Sequence, residues 1–451
     1  MKTLILAGAF VFTAITALAQ PGTAPASPAA APVTPVIAAP LPSGPSFFIH
    51  NGKVYTVGSA GTISGGDVII QGGKIVAVGQ NLTPPAGATT IEAGGKPVTP
   101  GLMASATQLG IQEIQLVAET NDTSPDQSLD TAAFDVADAL NPNSTLIPVA
   151  RIAGVTRSLI VPADGAGVFF GQAAVIHLGN GPNILVKRDA GIFARLEPTG
   201  GAREKDSRPD LWAQFRETLD DAREYWAARA GYHKPGGARD QRSFRIDLDA
   251  LGPVIQGQEP LIVHVDRASD IRQVLAYTQA NKLKLVIFGA EEGWQVAKEL
   301  AAAQVPVIID ANLNLPDNFS DIGATLKNAA LMDKAGVTVI FEPQNDDPAQ
   351  YARTITQIAG NAVANGMAWD HALAAITKNP ATVFGIADRY GTLDVGKDGD
   401  VVVWDGDPLN VTSAPTAVFI RGARIPLVSR QTMLRDRYRN LNDKHLPFAY
   451  R

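Results

Sequence analysis

The chain has 451 residues, 45% of them hydrophobic and 18% charged, which supplies core for one large and one smaller folded unit and excludes wholesale disorder. A formal net charge of −6 argues against nucleic acid or an anionic membrane surface as the principal partner. Cysteine is absent, so a disulfide framework, a thiolate metal site and a cysteine nucleophile are all excluded.

Residues 1–19 read as a signal peptide. Met1-Lys2 is followed by an apolar run from Leu4 to Leu18 and a small-x-small cleavage site at Ala17-Leu18-Ala19. The run is short for a span, which needs about 20 apolar residues, so the mature chain is expected to be soluble and exported to a bacterial periplasm, with no membrane span after cleavage. Residues 20–45 are rich in Pro and Ala without hydrophobic period and read as an extended linker.

From Phe47 the pattern turns to short β runs: Phe47 to Val57, Asp67 to Ile70, Lys74 to Gly79 behind the Gly72-Gly73 turn, and Thr89 to Val98. Short apolar runs then alternate with amphipathic segments, as a (β/α) barrel requires. The strand candidates are Gly154 to Val161, Pro260 to Val265, Lys284 to Gly289, Val305 to Asp310 and Gly336 to Phe341. Val168 to Leu178 reads as a β insertion in the early half of the barrel. Helices are expected over Leu211–Ala230, Ala268–Ala280, Gly293–Ala303 and Ala349–Asn365. Trp212, Phe215, Leu219 and Trp226 fall near one face of the first of these and read as packing. Further strands lie at Gly391 to Leu409 and Ala417 to Ile425, and Arg430–Arg439 reads as a solvated helix face.

Three stretches together carry a resemblance. Pro100-Gly-Leu-Met-Ala-Ser-Ala-Thr-Gln resembles Pro-Gly-hydrophobe-hydrophobe-Asp-x-His-x-His in its opening but lacks both His; Thr377-Lys-Asn-Pro-Ala resembles a Thr-x-Asn-Pro-Ala helix; and Gly391 to Trp404 resembles a Gly-rich hairpin ending in Ala-Asp, here Gly399-Asp400. The combination resembles the amidohydrolase superfamily, nearest its imidazolonepropionase-like branch. The resemblance implies an α/β fold, a (β/α)8 TIM-like barrel over 99–388 beside a small β-sandwich built from 46–98 and 389–451. It also implies metal-assisted hydrolysis of a carbon–nitrogen bond, a divalent ion lowering the pKa of water.

The ligand positions of that family are mostly changed here. Ala106 and Gln108 stand where two His would bind the first metal. Ala has no donor atom and the neutral Gln oxygen is a poor zinc ligand. His264 matches a ligand His, Gly289-Ala290 stands where another His is usual, and the Asp of the last strand falls near Gln344, with Glu342, Asp346 or Asp347 as stand-ins. A bridging carboxylated Lys has no match at Val161 or Lys187. One retained ligand cannot hold zinc, so no metal is expected, and zinc would bind only to a rebuilt site. The acid–base candidates are His264 and Asp266, and the expected binding residues are Gln108, His264, Glu291 and Gln344. His264 as a satisfied structural His remains open beside these roles.

No Gly-x-Ser-x-Gly elbow, His-Glu-x-x-His, P-loop or dinucleotide fingerprint occurs. Gly165-Ala-Gly-Val-Phe-Phe-Gly lacks the P-loop ending and reads as a β turn. His50, His177, His233, His371 and His445 are scattered without ligand spacing. Two functions follow as expectations. One is a hydrolase of small amides or cyclic amides; the other is a catalytically silent relative acting as a binding subunit, as a homo-oligomer or paired with a homologous amidohydrolase.

Overall fold

A computed structural model describes residues 44–125, 131–163, 167–198, 207–228, 243–316, 318–343 and 347–439. The signal peptide and nearly all of the linker read from the sequence lie outside these residues, as do His233 and His445. In chain order the strands are β1 (Ser46–Tyr55), β2 (Thr62–Gln71), β3 (Lys74–Gln80), β4 (Thr89–Glu92), β5 (Pro97–Pro100), β6 (Leu102–Thr107), β7 (Val155–Ile160), β8 (Phe169–His177) and β9 (Leu185–Arg195). They continue with β10 (Leu261–Val265), β11 (Leu285–Gly289), β12 (Val307–Ile309), β13 (Val339–Phe341), β14 (Val401–Trp404), β15 (Pro415–Ile420) and β16 (Ala423–Ile425).

The first and last strands form one eight-stranded sheet, ordered β16-β15-β14-β5-β1-β2-β3 with β4 also on β1. β5 is the splice, parallel to β1 and antiparallel to β14. Ile49, Val68 and Ile70 from the front of the chain share a core with Val401, Val403 and Phe419 from its back. The sheet curls until its two ends meet at glycines. Gly399 donates to the Gly73 carbonyl and Gly422 to that of Gly399. A Cβ on Gly422 would lie 2.5 Å from the Gly73 Cα, and one on Gly399 would lie 2.7 Å from Ile70. Here Gly399 is a packing requirement, because no side chain fits the contact.

The second eight-stranded sheet runs in sequence order from β6 to β13, with its end strands packed against each other to close the barrel. β6–β7 and β9 through β13 pair in parallel, while β8 is antiparallel to both β7 and β9. The run Val168 to Leu178 is therefore a barrel strand in its own right. β9 escaped the sequence reading because Lys187, Arg188, Asp189 and Gly191 interrupt its apolar pattern.

Side-chain alternation sorts the barrel into two layers. Met103, Leu159, Val175, Phe193, Ile262, Val286, Ile308 and Ile340 form one cluster to which every strand contributes, the barrel interior. Their neighbours pack outward on the helices, including Ala268–Ala280 and Ile355–Ala364. The helix Arg208–Ala228 buries Trp212, Phe215 and Leu219 as its pattern implied, with Phe215 stacked on Phe169 at 5.5 Å. The floor of the barrel is plugged by Ala381, Phe384 and Tyr390. The helix Lys378–Val383 is tied there by Asn379 Nδ2 donating to the Val339 carbonyl at 2.8 Å. Below the plug, Arg157 of β7 is buried and reaches Asp400 at 2.9 Å and Asp398 at 2.7 Å, joining barrel to curled sheet.

Candidate functional site

The interior rows of the barrel predict what its upper rim must carry. Two residues beyond Ile262 comes His264, and two beyond that Asp266; Phe193 is followed likewise by Arg195 and Glu197, Ile308 by Asp310, and Ile340 by Glu342. Period-two alternation turns all of these toward the barrel axis at its C-terminal end, where barrel enzymes place their chemistry. Glu291 follows a turn made by Gly289 (φ +86°) and Ala290 (φ +53°). Asp310 was missed in the sequence although the same two-residue step from Ile308 would have found it; Arg195 and Glu197 were missed together with β9 itself.

The altered ligand positions are remodelled rather than simply emptied. Ala106 is buried with φ +56°, at a break in the register of β6 on β7. Gly289 has no space for a side chain: a Cβ there would lie 2.2 Å from Asp266 Oδ1 and 3.0 Å from the His264 ring. His264 Nε2 stands 3.5 Å from Asp266 Oδ2, while Asp266 Oδ1 is buried without a hydrogen-bond partner. Among the described residues no three His, Asp or Glu are arranged to hold a metal ion. The donor set does not fit the family's zinc, which takes three protein ligands in catalytic sites.

The other expected residues separate in space. Asp347 caps the helix Pro348–Tyr351 and accepts from Gln112 Nε2 at 2.9 Å, so its role is structural. Gln344 and Asp346 lie outside the described residues. Lys187 sits at the floor, donating to the Phe384 carbonyl, at the wrong end of the barrel for a bridging ligand. His50 and His371 pair with Asp67 and Asp333, and His177 contacts the Asn183 carbonyl, all away from the rim.

Burial dominates the electrostatics of the rim. It pushes the Glu291 carboxyl up to about 10, with Asp266 and then Glu342 adding repulsion. Glu342 is raised well above the usual carboxylate range, by burial first and Asp310 next, against the opposing pull of His264. Glu197 is also raised by burial. Burial and crowding both act against ionisation here, since each ionised neighbour opposes the next. Arg208 steadies the edge of this group, reaching Glu197 and Asp270 at 2.6 Å and Ser320 at 2.7 Å.

A cavity of about 320 Å³ opens over the rim. Gln108 and His264, two residues that the sequence reading named for binding, line it together with Ala106 and Val161. Phe170, Phe193 and Phe288 form its wall, and Gln112, Gln115, Asn121 and Thr123 come from the loop after β6. Glu291 and Asp266 are not among its lining residues; Asp266 reaches the cavity only through His264.

The profile of the Amidohydrolase family matches residues 276–428. Amidohydrolase tasK of Hapsidospora irregularis is 24% identical over 367 residues, covering 75% of this chain and 37% of that protein. Imidazolonepropionase of Brucella suis biovar 1 (strain 1330) is 25% identical over 148 residues, 32% of this chain and 35% of that one. The matches thus span little more than a third of either curated relative. Among solved structures, an amidohydrolase from Thermotoga maritima MSB8 superposes with a TM-score of 0.74 at 25% identity, covering 84% of this chain and 99% of that one. Molinate hydrolase shares the fold at a TM-score of 0.54 and 18% identity.

Proposed function

The chain belongs to the amidohydrolase superfamily, and we propose on that premise that it hydrolyses a carbon–nitrogen bond of a small molecule with acid–base groups in place of the family's metal. The observation that carries the reading is His264, which stands at the family's ligand position, lines the cavity and has Asp266 3.5 Å behind it. Such a pair can serve both halves of the reaction. His264 takes a proton from water as the carbon–oxygen bond forms, and returns it to the leaving nitrogen as the carbon–nitrogen bond breaks. Asp266 stabilises the imidazolium between the two transfers, the role a carboxylate plays behind a catalytic His. The purified protein, assayed on a panel of amides, lactams and dipeptides, is expected to show turnover that His264→Ala abolishes. An inert wild-type protein would overturn the reading.

A second reading has its own observation. Asp266 fills the space over Gly289, so the old ligand frame is closed, as befits a silent relative kept for binding. An inert protein that co-purifies from its host with a homologous amidohydrolase, or as a defined homo-oligomer, would establish that reading instead. Either way we read residues 1–19 as a signal peptide directing export. N-terminal sequencing of protein from the periplasmic fraction tests this, with Gln20 the expected first residue. Among the described residues no helix is long and apolar enough to cross a membrane.

A further inference from the structure

We infer that the cavity at the barrel mouth is a site for an uncharged, flat, hydrogen-bonding ring compound, not for a ligand carrying a carboxylate, a phosphate or an ammonium group. The inference deepens the hydrolase reading by naming its ligand class, and it rests on that reading for the assumption that this cavity is the one used.

The wall is aromatic and continuous. Phe170 and Phe193 lie 5.9 Å apart between ring centroids, Phe193 and Phe288 5.7 Å, and His264 meets Phe288 edge-on at 5.1 Å. The rings stand tilted or edge-on to one another, at 45°, 73° and 74°, so a planar ring packs face-on or edge-on against one of them at a time. Opposite stand side chains that carry amides: Gln108, Gln112, Gln115 and Asn121. Amides offer donors and acceptors in equal supply and no net charge. Two of them have fixed orientations: Gln112 is held by Asp347, and Asn121 accepts from Thr123 at 2.7 Å.

The described lining of the cavity is uncharged apart from what His264 can take up. No Lys, Arg, Asp or Glu is among its described lining residues. An anionic ligand would give up part of its hydration without meeting a Lys or Arg among the described lining residues. It would also meet Asp266 close behind His264. A cation would find aromatic faces but no carboxylate among the described lining residues. A neutral ring with amide-like edges meets neither penalty.

The test is equilibrium binding to the full-length mature protein of three compounds sharing one ring: benzamide, 4-carbamoylbenzoate and 4-(aminomethyl)benzamide. Titration calorimetry and ligand-observed NMR are expected to show benzamide binding at least tenfold more tightly than either charged analogue. Gln108→Lys should reverse the order between benzamide and the carboxylate, and Phe193→Leu should weaken benzamide severalfold, with circular dichroism confirming that both variants fold. Equal or tighter binding of a charged analogue overturns the inference, as does binding of none of the three, or benzamide binding that both substitutions leave unchanged. Turnover of the wild-type protein, measured beside these titrations, separates the two readings. A protein without turnover that still selects benzamide sinks hydrolysis and keeps the ligand class; turnover without selectivity does the reverse.

Discussion

The Asp266 carboxylate occupies the space that a side chain at Gly289 would need: a Cβ built on Gly289 would lie 2.2 Å from Asp266 Oδ1. Gly289 also has φ +86°, a region an L side chain enters only under strain. Gly289→His therefore does not rebuild the family's ligand set. The expected result is a loss of about 2–4 kcal/mol of stability in urea denaturation, from overpacking plus backbone strain, with no gain of bound zinc. Stoichiometric zinc in a folded Gly289→His protein would contradict this account.

That relationship also shows where sequence reading reached its limit. Pro100-Gly, the Asn-Pro-Ala helix and Gly399-Asp400 were legible as a family frame because each does a local job. Asn379 ties the floor plug to β13, Gly399 sits in a contact too close for a side chain, and Asp400 anchors Arg157. The rim was harder. His264 and Glu291 could be picked out by position, but that Asp266 fills the place beside Gly289 depends on two neighbouring strands bringing β10 and β11 into register. β9 stayed hidden for a related reason. Its outer half carries charges at the floor edge, and only its last residues join the interior. Nothing in local periodicity separates such a strand from a polar loop.

Arg157 is expected to be the most costly single charge to remove. It is buried, with Asp398 and Asp400 as partners and the Tyr390 ring 5.1 Å from its guanidinium. Arg157→Ala takes the buried cation from Asp400, while Asp398 keeps Lys74 at 2.6 Å and Arg389 at 3.1 Å. Removing one partner of a buried ion pair typically costs about 3–5 kcal/mol, and a fall of that size in denaturant stability is expected. A change under about 1 kcal/mol would mean that water reaches the site freely.

Glu259, just before β10, gives a pH signature with a definite sign. It is buried with Oε1 unpartnered, and burial first, then Asp189, push it up to about 7 against the pull of Lys187. Its unfolded value is the ordinary one near 4.5. Between those values the unfolded chain has released the proton and the folded chain still holds it, so stability falls as pH rises through that window and levels off above about 7. The loss is about 2–3 kcal/mol at full extent. Glu259→Gln keeps the shape and removes the titration. Urea midpoints of wild type and variant should agree at pH 4.5 and diverge by pH 8, the variant being the more stable. Glu291 acts with the same sign over a window running on to about 10. A wild type that gains stability relative to Glu259→Gln on going to pH 8 would refute the assignment.

Metal removal tests the acid–base reading directly. Zinc in a catalytic site needs three protein ligands at roughly 2.0–2.2 Å, and it lowers the pKa of its bound water. Here Ala106 brings no donor atom, Gly289 no side chain, and the His264–Asp266 separation of 3.5 Å is set by their own contact. If His264 and Asp266 move the protons themselves, exhaustive dialysis against a chelator leaves the hydrolysis rate within about twofold and the melting temperature unchanged, since no binding free energy is withdrawn from the fold. His264→Gln, which keeps bulk and polarity but cannot take up a proton, should lower kcat by at least about a hundredfold with KM little changed. Activity lost on dialysis and restored by added zinc would place a rebuilt metal site at the rim and displace the acid–base pair as the seat of the reaction.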